Sequence, residues 1–259
     1  MSSSREFIQG PMEIGNKLFC FRHQHWAYVW IPLFASFVWF GTLWAMLITW
    51  LASGRPKYPS QEGNIAYISD IGADILKPLF IAAGAITGLG FFLCLCVERL
   101  LRYTGRLVPN MRKREFVFSY LAIFGSLVGG VGLILLTVFD TQRHPSLHRV
   151  FLLVFIVGVA LSAIFTVIEY RWISKDFREI RKLKIAYAAK AIIASTLIVL
   201  AIAFAVTLFH NYDVGAVLEW TIAFGFTFYL LTFFYDLRLA RHVRKGEYRM
   251  KRVRTSFRA

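Results

Sequence analysis

Residues 78–97 read PLFIAAGAITGLGFFLCLCV, and residues 98–115, which follow directly, read ERLLRYTGRLVPNMRKRE. The first stretch is 20 residues without a single Asp, Glu, Lys, Arg or His. At about 1.5 Å of rise per residue it makes a helix about 30 Å long, the thickness of a hydrocarbon core. The second stretch packs six Lys and Arg into 18 residues. An apolar run of spanning length that ends in a basic cluster marks a membrane helix whose end stays on the cytosolic side.

The pattern recurs on both sides of this stretch. Apolar runs lie at about 27–51, 78–97, 116–139, 150–168, 191–209 and 217–235. The basic residues fall almost wholly into every second gap: three in the amino-terminal segment (Arg5, Lys17, Arg22), six at 98–115, seven at 169–190 and nine from 236 onward. Those gaps hold 25 of the 30 Lys and Arg, whereas the alternate gaps hold only Arg55, Lys57, Lys77, Arg143 and Arg149. The alternation predicts an all-α polytopic protein, a six-transmembrane-helix bundle with both termini cytosolic. The second and third outer loops are short, so the bundle is expected to be three sequential hairpins. The expected division is a cytosolic segment 1–26, a six-span domain 27–237 and a basic cytosolic tail 238–259.

A chain that is 57% hydrophobic and 17% aromatic, with loops this short, leaves no stretch for a separate soluble domain. The net charge of +15 invites a nucleic-acid reading, but the bases flank span ends instead of interleaving with aromatics on a soluble face. No nucleic-acid partner is expected. Arg241, Arg244, Lys245, Arg249, Lys251, Arg252 and Arg254 in the tail are candidate contacts for anionic inner-leaflet phospholipid, at about 1 kcal/mol per base near such a surface. Cys20, Cys94 and Cys96 all fall in the cytosolic half, where thiols stay reduced and serve packing.

Glycines at four-residue spacing, Gly84 and Gly88 on the second span and Gly125 and Gly129 on the third, let helix backbones approach closely. They predict contact between those two spans, with homodimerisation as a second reading. Spans two, four and six each end with an acid beside a base: Glu98-Arg99, Glu169-Tyr170-Arg171 and Asp236-Leu237-Arg238. An acid at a helix carboxyl end opposes the dipole, so the neighbouring arginines are expected to answer them.

No ionisable residue lies near the middle of a span, which counts against a pump or an ion-coupled transporter. Polar groups gather instead at the outer mouth. Tyr67, Ser69 and Asp70 precede the second span; Asp140, His144 and His148 lie between the third and fourth; His210 and Glu219 lie between the fifth and sixth. These eight are the candidate outer-face lipid or ligand residues. Glu219, about one turn into its apolar run, either caps its helix or pairs with Lys77, Arg143 or Arg149, or else it serves as a ligand or proton-transfer group. Asp140, His144 and His148 recur every four residues, as metal ligands on one helix face can. Pro145 disfavours helix at His144, which removes most of that force. No catalytic residue, metal or cofactor is expected.

Three stretches together carry a family resemblance: Tyr67-Ile68-Ser69-Asp70-Ile71-Gly72-Ala73 with Lys77-Pro78-Leu79-Phe80; Phe139-Asp140-Thr141 with His148-Arg149; and Leu218-Glu219-Trp220. In order and placement they resemble the six-span family that groups the damage-regulated autophagy modulators, the fibroblast-growth-factor-receptor activating protein and the fungal suppressor of phosphatidylinositol 4-kinase loss. The ending Phe234-Tyr235-Asp236-Leu237-Arg238 is most similar to the fungal branch. The resemblance implies a plasma-membrane protein, not itself an enzyme, that supports phosphoinositide 4-kinase output and the sterol or phospholipid organisation of the bilayer. Its implied partners are membrane lipids and a lipid-kinase complex on the cytosolic side. A related branch remodels the lipid of glycosylphosphatidylinositol anchors and shares the Asp, His and Glu-aromatic pattern. That reading places the protein in the endoplasmic reticulum or Golgi.

Overall fold

A computed structural model of the chain describes residues 27–108, 113–176, 181–208, 210–240 and 243. The amino-terminal segment with Cys20, and the tail bases from Arg241 to Arg254, lie outside the described residues. After a 3-10 turn at Ala27–Val29 come α1 (Trp30–Ala52), the single-turn α2 (Ile68–Ile71), α3 (Lys77–Tyr103), α4 (Lys113–Val138), α5 (Pro145–Asp176), α6 (Arg181–Thr207) and α7 (Tyr212–Arg238). All but α2 are long and apolar enough to cross a membrane. The protein is an all-α integral membrane protein, as the apolar runs predicted.

Helices α3 to α7 overrun the apolar runs at the basic end, and α5 and α7 do so at the base-poor end as well. Pro145 opens α5 and α7 begins at Tyr212, so Glu219 sits two turns into its helix. At the other end Glu98, Arg102, Glu169, Lys190 and Asp236 are helical and buried. Lys, Arg and Glu are good helix formers, so a helix continues past the residues that cross hydrocarbon.

The six long helices close a ring in which α1 lies between α3 and α7, and α4 lies between α3 and α5. The junction of α5 with α6 is the sparsest of the ring. Lipid is as apolar as a leucine, so close backbone approach and polar glue hold such a ring together. A methyl group built on Gly88 would lie 2.8 Å from the Gly130 carbonyl oxygen, which is the predicted contact of spans two and three. Gly125, Gly129 and Gly132 instead face α5 at Ser162, Gly158 and Phe155. Thus α4 carries two small-residue faces, one for each neighbour in the ring.

The centre is aromatic. Phe91 of α3 meets Phe226, Tyr229 and Phe233 of α7 edge to face at centroid distances of 5.6, 6.1 and 6.0 Å. From α1, the Trp39 indole donates to the Ala223 carbonyl of α7 at 3.1 Å.

The long loop 53–67 is folded down over the base-poor end. Gly54, at φ +79°, takes the left-handed turn that ends α1. The amides of Asn64 and Ile65 donate to the Asp213 carboxylate at 2.5 and 3.0 Å, the Trp220 indole donates to Ala66 O at 3.0 Å, and the Tyr67 hydroxyl donates to Tyr212 O at 2.9 Å. All four bonds run to the first third of α7, at Tyr212, Asp213 and Trp220, so the loop and that helix form one lid.

Candidate functional site: a polar cavity at the base-poor end

Asp70 is placed by α2. Its carboxylate accepts the Tyr67 amide at 3.0 Å and the Ser60 hydroxyl at 2.6 Å, and the residue is buried. Burial pushes the Asp70 carboxyl above the usual carboxylate range, against the pull of those two hydrogen bonds. One helix away, Glu219 accepts the Ile68 amide at 2.7 Å, which joins α7 to α2. Among the described residues none of Lys77, Arg143 and Arg149 pairs with it, and Lys77 pairs instead with Asp140. Asn211 supplies the α7 cap, its side chain accepting the Val214 amide at 3.3 Å. Glu219 lies beyond the first turn, where the dipole has largely faded.

His148, one turn into α5, is 3% exposed. Its Nδ1 lies 3.0 Å from Leu136 O and 2.8 Å from Phe139 O. Carbonyls only accept, so Nδ1 carries the proton. Nε2 is buried with no hydrogen-bond partner among the described residues.

Asp70, His148 and Glu219 line one cavity of about 480 Å³, together with Tyr67 and Ser69. Ser60, Glu62 and Arg149, absent from the predicted set, complete its polar wall. Leu152, Phe204 and Glu219 also line an apolar cleft of about 50 Å³ beneath it, where Ile222 and Phe226 form the floor. A second cleft of about 50 Å³ continues from those residues between α5, α6 and α7 past Leu197 to Tyr229. Polar mouth and apolar clefts thus make one amphipathic path along the sparse α5–α6 junction.

The other predicted outer-mouth residues stand outside the cavity. Asp140 pairs with Lys77 and accepts the Arg143 amide at 2.6 Å. Burial opposes its ionisation, but those partners outweigh the opposition and hold its carboxyl below the usual range. His144 is exposed and meets the Phe139 ring at 5.5 Å. The His210 ring lies 2.9 Å from Val206 O at the surface. Pro145 starts α5 between His144 and His148, so the four-residue spacing shares no helix face.

A second polar cluster, at the basic end, was not foreseen as a unit. Glu98 accepts from Arg102 at 2.7 Å and from the Tyr170 hydroxyl at 2.8 Å; Arg102 also donates to Val108 O at 3.0 Å and lies 3.7 Å from Glu169. Lys190 of α6 pairs with Asp236 of α7, and its ammonium sits 3.7 Å from the Phe233 ring centroid. The expectation that adjacent arginines answer these acids fails for Glu98 and Asp236. Neighbours in sequence point about 100° apart on a helix, whereas residues four apart share a face. Arg99 accordingly turns to Phe116, 4.1 Å from its ring centroid.

These features define a class: a six-span helical membrane protein with an amphipathic cavity roofed by its first long loop. Residues 27–240 match the domain described as "Frag1/DRAM/Sfk1/Cwh43P N-terminal domain", and the chain belongs to that family. It is 31% identical over 242 residues to "Protein sfk1" of Schizosaccharomyces pombe, covering 88% of this chain and 72% of that protein. It is 27% identical over 188 residues to "Protein SFK1" of Saccharomyces cerevisiae (61% and 53%), and 31% identical over 136 residues to "DNA damage-regulated autophagy modulator protein 1" of Homo sapiens (47% and 56%). The chain therefore spans little more than half of the last two relatives. No solved structure matches it.

Proposed function

We propose that this protein is a plasma-membrane regulator, not an enzyme, that organises bilayer lipids and supports phosphoinositide 4-kinase output from its cytosolic, basic end. The observation that carries this reading is the cavity of about 480 Å³ whose acidic and imidazole wall runs into apolar clefts between helices. A site that is polar at the membrane surface and apolar below it matches the shape of a lipid with head outward. Family membership and the match over most of the fungal relative support the same reading. The bases from Arg241 to Arg254 would hold anionic phospholipid on the opposite face. Deletion of the gene is expected to lower the signal of a phosphatidylinositol 4-phosphate sensor at the plasma membrane, with recovery on re-expression. An unchanged signal removes the reading.

One observation favours a second reading: His148 brings an unpartnered ring nitrogen beside two carboxylates. Such a set suits proton transfer on the lipid of a glycosylphosphatidylinositol anchor. Mass spectrometry of anchor lipids in a Glu219→Gln, His148→Ala double variant decides it, because a normal composition eliminates that role.

A further inference from the structure

The cavity wall offers acceptors. Ionised opposite a cation, the carboxylates of Asp70 and Glu219 accept only, and each already holds a backbone amide that fixes its position. His148 is 3% exposed with Nδ1–H committed to two carbonyls; in the neutral ring Nε2 is therefore an acceptor, and it has no partner. A buried acceptor left without a donor costs free energy, and this one belongs to a residue of the cavity wall. Among the described residues Arg149 is the one Lys or Arg on the wall; it is exposed at the rim, whereas Asp70 lies deep.

The geometry points to an amphipath with a primary ammonium head, its three N–H bonds shared among Asp70, Glu219 and His148 Nε2. The inference rests on the lipid-site reading above and names the headgroup that site selects. A sterol hydroxyl supplies one donor and no charge to set against two carboxylates. A choline head carries charge but no N–H, so it would leave the His148 nitrogen unsatisfied. The tail leaves the head at Glu219, which borders both cavity and cleft, and follows the α5–α6 junction towards Tyr229. Each cleft is narrow, so the tail lies half in the junction and half in bilayer.

Two sources share this head: an ethanolamine phospholipid, whose phosphate would meet Arg149 at the rim, and a free sphingoid base, which has no phosphate. Full-length protein purified in detergent is incubated with lysophosphatidylethanolamine, lysophosphatidylcholine, lysophosphatidic acid, sphingosine or a sterol, and retention is read by native mass spectrometry. The expected result is retention of an ammonium lipid about tenfold over the choline lipid, the scale of a lost hydrogen bond to a charged group. That comparison uses the unaltered chain and so is immune to misfolded variants. Arg149→Gln then separates the sources: it weakens the ethanolamine phospholipid and leaves sphingosine unchanged. Glu219→Gln, read beside the thermal midpoint of the same sample, is expected to level the ammonium and choline lipids. Equal retention of ethanolamine and choline heads, or preference for lysophosphatidic acid or the sterol, overturns the ammonium inference while keeping a lipid site. Retention of none of the five overturns both.

Discussion

Lys190 and Asp236 are 1% and 2% exposed, and neither ion has water to turn to. Removing one partner of such a pair strands a buried charge, which costs about 3–5 kcal/mol, whereas replacing both with apolar groups of similar size is near neutral. Lys190→Met should therefore unfold far more readily in a denaturing-detergent titration, and Lys190→Met with Asp236→Leu should recover most of the loss. A double variant no better than the single would mean that the pair also answers to Glu98 and Arg102. Asp140 and Asp70 make the opposite contrast with pH. The folded-state pKa of Asp140 is depressed, so its contribution is complete above the ordinary carboxylate value of about 4 and is lost as pH falls through the depressed one. Asp70 is raised, so its stabilising proton is shed as pH climbs from the ordinary value through the raised one. Thermal unfolding from pH 3 to pH 7 should show Asp140→Asn flattening the acid-side loss and Asp70→Asn flattening the fall on the neutral side. Of the cavity's ionisable groups, Asp70, His148 and Glu219 were legible because acids and imidazoles stand out beside long apolar runs. Glu62 was not, since an exposed charge in a loop looks like any other until the loop is folded, and Arg149, read as a partner for Glu219, stands instead on the exposed side of α5 at the cavity rim.

Between elements, the glycines of α4 show what spacing can and cannot say. Four-residue spacing announced a close helix contact, but a helix has more than one face, and only the packed ring assigns Gly130 to α3 and Gly125, Gly129 and Gly132 to α5. The same limit hid the basic-end network. Apolar windows mark where hydrocarbon begins, so charged residues on the flanking turns of α3, α5, α6 and α7 read as loops. Their burial depends on helices meeting that are up to 138 residues apart, as with Glu98 and Asp236. Gly158 meets Gly129 backbone to backbone, leaving no room for a side chain. Gly158→Leu is expected to force α4 and α5 apart at about 1–3 kcal/mol. Gly41 of α1 has nothing within 4 Å, so Gly41→Ala should be neutral or stabilising by up to about 1 kcal/mol. Thermal midpoints in detergent separate the two; a Gly158→Leu protein as stable as the parent would deny the seam its tightness.

For the molecule as a whole, the charge alternation and the two polar clusters impose one polarity. Lys190, Arg102, Glu98 and Asp236 tie the helices together at the end where 25 of the 30 basic residues collect, and the acceptor-lined cavity occupies the other end. On the proposed orientation the tied end would be a fixed platform for cytosolic contacts. On the same orientation the cavity end, roofed by one loop and bordered by the sparse α5–α6 junction, would exchange lipid with the outer leaflet. This arrangement requires that the basic end face the cytosol, which positive-inside insertion also demands. In a chain with Cys20, Cys94 and Cys96 replaced by alanine, Gln142→Cys, exposed at the cavity end, should react with a membrane-impermeant maleimide on intact cells. Arg254→Cys in the tail should react only after permeabilisation. The reverse pattern would put the acidic cavity in the cytosol and the tail outside, and would undo the assignment of lipid and kinase contacts to their sides together.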